Sequence, residues 1–183
     1  MNSSAKNILI RSLSTSNRIV MRPSVSVSDE LSKKLFDRLD SDSPYTSDSV
    51  ANLPRNQVRN RWCNVLPFDN SRIKLISSDP TNDVEYFNDY INASKVEAPE
   101  VDNKSYILTQ GPLESTVGHF WQMVYQQQVS AIVMLCRLTE TGICKCARYW
   151  PATDDDDDLI RVPGAGLEVR LRDFDNTDSD FLV

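Results

Sequence analysis

The chain has 183 residues, 40% of them apolar and 25% charged, with a formal net charge of −6. That length and apolar content suit one soluble domain with a real core and exclude a disordered chain. The acidic balance excludes nucleic acid as a general partner, and no apolar run approaches the ~20 residues that a membrane helix needs.

The charge is uneven. Lys6, Arg11, Arg18 and Arg22 give the first 28 residues +4 with no acid, so the remainder carries −10. The apolar run 8–10 is too short for a secretory signal. A basic, Ser-rich, acid-free start is also the composition of a mitochondrial transit segment. A disordered tail over residues 1–27 is the simpler expectation. Ser28 then fits an N-cap, with Asp29 and Glu30 in the first turn, and Leu31, Leu35 and Leu39 form the apolar line of a short amphipathic helix.

Residues 41–53 are rich in Ser, Asp and Pro and read as a loop. Arg55, Arg59 and Arg61 cluster ahead of Trp62. Two readings stand: a solvated basic loop, or an anion-facing loop with an aromatic wall. Residues 72–76 alternate like a strand, 77–88 form a polar loop, 90–93 a second strand and 98–104 another loop.

Residues 105–151 carry the clearest plan. An apolar strand (106–108) and a Gly-Pro break precede a helix that Ser115 or Thr116 can cap. Val117, Phe120, Trp121, Val124 and Tyr125 mark one face of that helix. Residues 129–135, VSAIVML, read as a strand covered on both faces. Residues 143–150 alternate, with Ile143, Lys145, Ala147 and Tyr149 on one face and Cys144, Cys146, Arg148 and Trp150 on the other. Strand, helix, strand implies a right-handed crossover and a parallel pair. The acidic run 154–158 lacks the Gly turn and closing Glu of a calcium loop and reads as solvated. Residues 159–162 and 167–171 read as a hairpin.

Little here completes an active site unaided. His119 is the only histidine and sits mid-helix, where a structural or surface role is the simpler reading. Cys63, Cys136, Cys144 and Cys146 form no disulfide framework. Three lie on strand-like segments and are expected to be reduced, buried thiols. No zinc site, Gly-rich phosphate loop or cofactor motif is present, so no metal and no cofactor are expected.

Several segments carry a resemblance: NRW (60–62), VLPFDNSRIKL (65–75), DYINAS (89–94), YILTQGPL (106–113), TVGHFWQMV (116–124), IVML (132–135) and KCARYWP (145–151). Their wording, order and spacing resemble the amino-terminal half of phosphotyrosine-specific protein tyrosine phosphatases. YILTQGPL and GHFW are most similar to the non-receptor, T-cell phosphatase subgroup. The resemblance implies an α/β (α+β) fold with a twisted mixed sheet, flanking helices and an N-terminal helix, in a cytoplasmic protein. It implies that residues 28–183 form a phosphatase domain truncated before its catalytic loops.

The family's chemistry is attack on phosphotyrosine by a low-pKa cysteine, giving a cysteinyl-phosphate that water hydrolyses. The nucleophile motif is His-Cys, five residues, then Arg. Here Asp69, Gly142, Trp150 and Ala152 stand six residues after the four cysteines, and Trp150-Pro151 is followed by Ala152, so no Trp-Pro-Asp acid loop occurs. No catalytic residue is therefore assigned. By the resemblance, Arg61, Trp62, Asn64 and Val65 would face substrate, and Lys145 would meet the mobile acid loop. Trp62 replaces the family's Tyr, Cys63 an Arg and Asn64 an Asp, so two charges that would hold a peptide are gone. The expected partners are phosphotyrosine proteins or peptides, with pairing to another chain through open sheet edges as a further expectation. The main alternative is a non-catalytic phosphotyrosine-binding or interaction protein.

Overall fold

The computed structural model describes residues 6–11, 30, 33–34, 47–77, 87–98, 104–152, 158–162 and 165–173. The strands are β1 (Lys6–Arg11), β2 (Arg72–Lys74), β3 (Tyr90–Ala98), β4 (Lys104–Thr109), β5 (Thr139–Glu140), β6 (Ile143–Cys144), β7 (Leu159–Val162) and β8 (Leu167–Asp173). The helices are α1 (Pro54–Gln57) and α2 (Val117–Gln126), the latter entered through a 3-10 turn at Glu114–Thr116. This is an α+β arrangement in which the strands form three small sheets, ordered β1–β8–β7, β2–β3–β4 and β5–β6.

Helix α2 organises the core. Phe120, Trp121, Met123 and Val124 are buried against Ile73 and Leu75, against Ile91 and Ala93 of β3, and against Val162, Leu167 and Val169 of the β7–β8 hairpin. Full burial of each large apolar side chain contributes about 2 kcal/mol, so this cluster holds the two larger sheets to one helix. Gly118 faces β7, where a Cβ would meet a Val162 methyl at 3.4 Å, an ordinary packing contact. The Trp121 indole N–H donates to the Tyr149 carbonyl, and Phe120, Trp121, Tyr149 and Trp150 pack ring on ring. At the other end the Gln126 amide accepts from the Ile76 N–H at 3.0 Å and donates to its carbonyl at 2.7 Å, tying the end of β2 to α2.

Several expectations change in the structure. Tyr125, placed on the apolar face, is 39% exposed, and Met123 and Gln122 take the buried side instead. Thr116 occupies the N-cap position, but its hydroxyl turns back to accept from Leu113 N–H at 2.9 Å. β3 and β4 run to Ala98 and from Lys104, because opposite pairs from Ala93↔Thr109 to Ala98↔Lys104 extend the ladder into polar sequence. Residues 129–135 form no strand. Val133 and Leu135 are 77% and 93% exposed, and no described strand lies beside them to supply a ladder. The expected parallel crossover is accordingly absent, and β4 pairs antiparallel with β3.

Residues 143–150 form a strand only at Ile143–Cys144. Beyond it Cys146, Ala147 and Tyr149 are all buried, so the burial does not follow one alternating face. Six residues of the expected tail form β1, which pairs parallel with β8 from Lys6↔Leu167 onward; the β-prone Ile8-Leu9-Ile10 run finds an open ladder there. The β7–β8 hairpin forms as expected, with register Leu159↔Arg170 to Val162↔Leu167. Of the amphipathic helix, Glu30, Lys33 and Lys34 are helical, and Lys34 Nζ lies 2.9 Å from Glu30. Its leucine line, residues 78–86 of the polar loop and the acidic positions 154–157 lie outside the described residues.

Candidate functional site

The loop following α1 is held by amides and carbonyls from three directions. Asn60 Oδ1 accepts from the Tyr90 hydroxyl at 2.6 Å and from Asn92 Nδ2 at 3.1 Å, while its own amide donates to the Ala51 carbonyl at 3.1 Å. Asn92 also donates to the Val65 carbonyl at 2.9 Å. Gln110 grips the chain reciprocally: it accepts from Arg61 N–H and donates to the Arg59 carbonyl, both at 2.8 Å. These partners lie on or just beyond β3 and β4, so the sheet fixes the loop's path. Burial pushes the Tyr90 phenol up to about 12 against the opposing pull of the Asn60 bond, keeping it a neutral donor.

Arg61 is the centre of that arrangement. Its Nε, Nη1 and Nη2 donate to the carbonyls of Gly111, Cys144 and Pro112 at 2.9, 3.0 and 2.6 Å. Arg59 Nη1 likewise donates to the carbonyls of Asn88 and Tyr90. The cluster is therefore neither a solvated basic loop nor an anion-facing one at these two positions. Both guanidinium groups satisfy carbonyls that burial would otherwise leave costly.

With Arg61 turned inward, its neighbours turn outward. Trp62 is 43% and Val65 59% exposed, and Cys63 and Asn64 are exposed as well. Lys145 Nζ stands 4.9 Å from the centroid of the Trp62 ring, a cation–π contact of about 0.5–1 kcal/mol at a partly exposed site. Trp62, Asn64, Val65 and Lys145 thus present an aromatic face with one cation on it and an amide beside it. Nothing in the sequence marked Asn60, Asn92 or Gln110 as the supports. The one local signal is polar residues set inside apolar strands, at DYINAS and YILTQGPL.

The thiols are not arranged for attack. Cys63 and Cys144 are exposed, Cys136 is half-buried and only Cys146 is buried, which corrects the expectation of three buried strand thiols. Burial pushes the Cys146 thiol up to about 11, the opposite of an activated nucleophile. His119 lies under the loop with Arg59, Tyr90 and Gln110 around a cavity of about 10 Å³, and burial followed by the Arg59 charge lowers its pKa. Among the described residues no group of three or more His, Cys, Asp or Glu is placed to hold a metal ion.

Fold and loop together define an α+β scaffold that presents an exposed aromatic surface. The chain matches the family model for protein-tyrosine phosphatase over residues 56–182. It is 47% identical to Tyrosine-protein phosphatase non-receptor type 2 of Homo sapiens over 124 residues, which are 68% of this chain and 28% of that protein. It is 34% identical to Receptor-type tyrosine-protein phosphatase alpha of Homo sapiens over 154 residues, 79% of this chain and 19% of that protein. The chain belongs to the protein-tyrosine phosphatase family. It spans less than a third of the length of these relatives.

Proposed function

We propose that residues 28–183 supply the scaffold and aromatic recognition wall of a phosphotyrosine-specific phosphatase domain, and that this chain by itself does not hydrolyse phosphotyrosine. The observation that carries the reading is the state of the thiols. Hydrolysis through a cysteinyl-phosphate needs a thiolate held at a helix N-terminus, with an arginine to grip the phosphate. Helix α2 is preceded by Leu113, Glu114, Ser115 and Thr116, with no cysteine among them. Cys146 is held protonated by burial, and Arg59 and Arg61 donate to backbone carbonyls. Catalytic residues are therefore assigned to none of the positions described.

Trp62, Asn64 and Val65 are the groups we assign to face a phosphotyrosine ring and its peptide, with Lys145 behind the ring and Arg61 fixing the loop. The substrates in this reading are phosphotyrosine proteins, and the compartment is the cytoplasm. The non-receptor relative supports that compartment, and no helix among the described residues is long and apolar enough to cross a membrane. Incubating the purified chain with a phosphotyrosine peptide tests the reading. We expect no vanadate-sensitive phosphate release; steady release would overturn it.

One observation favours binding without turnover as a second reading: the Trp62 ring is exposed with Lys145 on its face. A peptide titrated in phosphorylated and unphosphorylated forms separates the two readings. Preferential binding of the phosphorylated form supports the second, and equal or absent binding rejects it. Pairing with another chain would use the edges of β2 and β4, unpaired among the described strands, and the exposed apolar residues Val133 and Leu135; a stable monomer in sedimentation would reject it.

A further inference from the structure

Strand β8 has two neighbours of different standing. On one side β7 reaches it through the hairpin and pairs antiparallel, from Val162↔Leu167 to Leu159↔Arg170. Val162, Leu167 and Val169 anchor that hairpin in the core shared with Phe120, Trp121 and Val124 of α2. On the other side β1 pairs parallel and comes from the opposite end of the chain. No tight turn joins β1 to β8, so the ladder itself selects this partner. The register sets Ile8 opposite Val169 and Ile10 opposite Leu171, matching apolar positions of the incoming strand to apolar positions of the edge. Between Ile10 and Arg11 the register shifts, and Arg11 comes to stand opposite Asp173. Net charge acts in the same direction. The first 28 residues carry +4 and the remainder −10, so the arm that supplies β1 is drawn to the body that supplies β8.

We propose that the outer edge of β8 is a strand-docking site for an extended peptide with an apolar triplet between two cations, and that residues 6–11 (KNILIR) are its releasable occupant in cis. The ladder's main-chain hydrogen bonds supply attraction for any extended backbone. The apolar residues at positions 8 and 10 select the register. The flanking cations select charge and direction, since Lys6 enters the ladder at Leu167 and Arg11 leaves it at Asp173. The α2 contacts hold the β7–β8 hairpin in the core, so the occupant can leave while the hairpin stays. Release opens a row of N–H and C=O groups along residues 167–173, which another strand satisfies. The site uses none of the residues of the Trp62–Lys145 face, so strand docking goes beyond the recognition of phosphotyrosine.

Hydrogen exchange on the full chain, read by mass spectrometry, tests the site. Successive strand residues direct their N–H groups to opposite sides, so Ile8→Pro with Leu9→Pro removes one ladder donor whichever side faces β8. The double variant is expected to lose protection at residues 167–173 and to keep it at 90–98 and 104–109. A synthetic peptide of residues 5–12, added to that variant, is expected to restore protection at 167–173. Restoration should be strong at about 0.1 M salt and weak at about 1 M, where screening shortens to about 3 Å. The same peptide carrying both prolines should restore nothing. Unchanged protection at 167–173 in the variant overturns the proposal. So does loss that spreads to 90–98 and 104–109, which makes β1 part of the core and not a releasable occupant. Failure of the peptide to restore protection, equal restoration by the proline peptide, or equal restoration at both salt concentrations also overturns it.

Discussion

Arg61 and Cys144 lie 83 positions apart, yet Arg61 Nη1 donates to the Cys144 carbonyl at 3.0 Å. The same guanidinium holds Gly111 and Pro112, so one side chain joins the loop after α1, the segment before α2 and the end of β6. Replacing it by alanine leaves three carbonyls without their donors. We expect Arg61→Ala to cost about 2–4 kcal/mol in urea unfolding. Lysine lacks the planar set of donors, so Arg61→Lys is expected to recover less than half of that. A cost within about 0.5 kcal/mol of zero for alanine, the range of ordinary surface changes, would show the three bonds to be incidental.

Gly111 is required by close approach. A Cβ there would stand 2.5 Å from the Lys145 carbonyl and 3.0 Å from the Cys146 Cβ. Gly111→Ala must therefore push the segment carrying Lys145 away, at about 1–3 kcal/mol. The Trp62 emission spectrum is expected to shift as Lys145 leaves its face. A spectrum and stability equal to those of the parent chain would contradict the packing described.

The Asp69 carboxylate organises the turn before α1. It accepts from the Ser49 hydroxyl at 2.6 Å, the Ser47 hydroxyl at 2.8 Å and the N–H groups of Val50 and Ser49 at 3.0 and 3.1 Å. The Ser49 bond leads in drawing its pKa down to about 2. A depressed carboxylate stabilises the fold above its unfolded value of about 4 and loses that contribution as pH falls toward about 2. Unfolding free energy should decline across that window in the parent chain and decline less in Asp69→Asn. Identical acid limbs would remove Asp69 from the account.

His119 gives a second limb at higher pH. Burial and then the Arg59 charge lower its pKa, and its Nδ1 is buried without a partner. The folded state therefore resists protonation that the unfolded chain accepts below about 6.5, so stability should fall as pH drops from about 7 toward 5. His119→Gln is expected to flatten that slope while leaving the Asp69 limb in place. An unchanged slope would place the titration elsewhere.

What the sequence disclosed depended on whether the cause was local. Helix α2 is legible because Val117, Phe120, Trp121 and Val124 fall on one stripe, and the β7–β8 hairpin because its apolar runs flank the sequence Pro-Gly-Ala-Gly at 163–166. Residues 129–135 differ from the expected strand because β-branched content reports fitness for a sheet, while a strand forms only where a neighbour offers hydrogen bonds. The motifs mark both Trp62 and Lys145, and the structure places Lys145 Nζ 4.9 Å from the Trp62 ring centroid. The inward role of Arg61 has no sequence signal, since its acceptors are backbone carbonyls that any residue type could supply.

The most direct measurement of the central claim is a rapid-quench trap with a radiolabelled phosphotyrosine peptide, followed by mapping of the four cysteines. The account predicts no cysteinyl-phosphate on Cys63, Cys136, Cys144 or Cys146, because none has the arginine six residues on and Cys146 is buried and protonated. Label that reaches any of these sulfurs, and is lost when that residue is changed to serine, would contradict it.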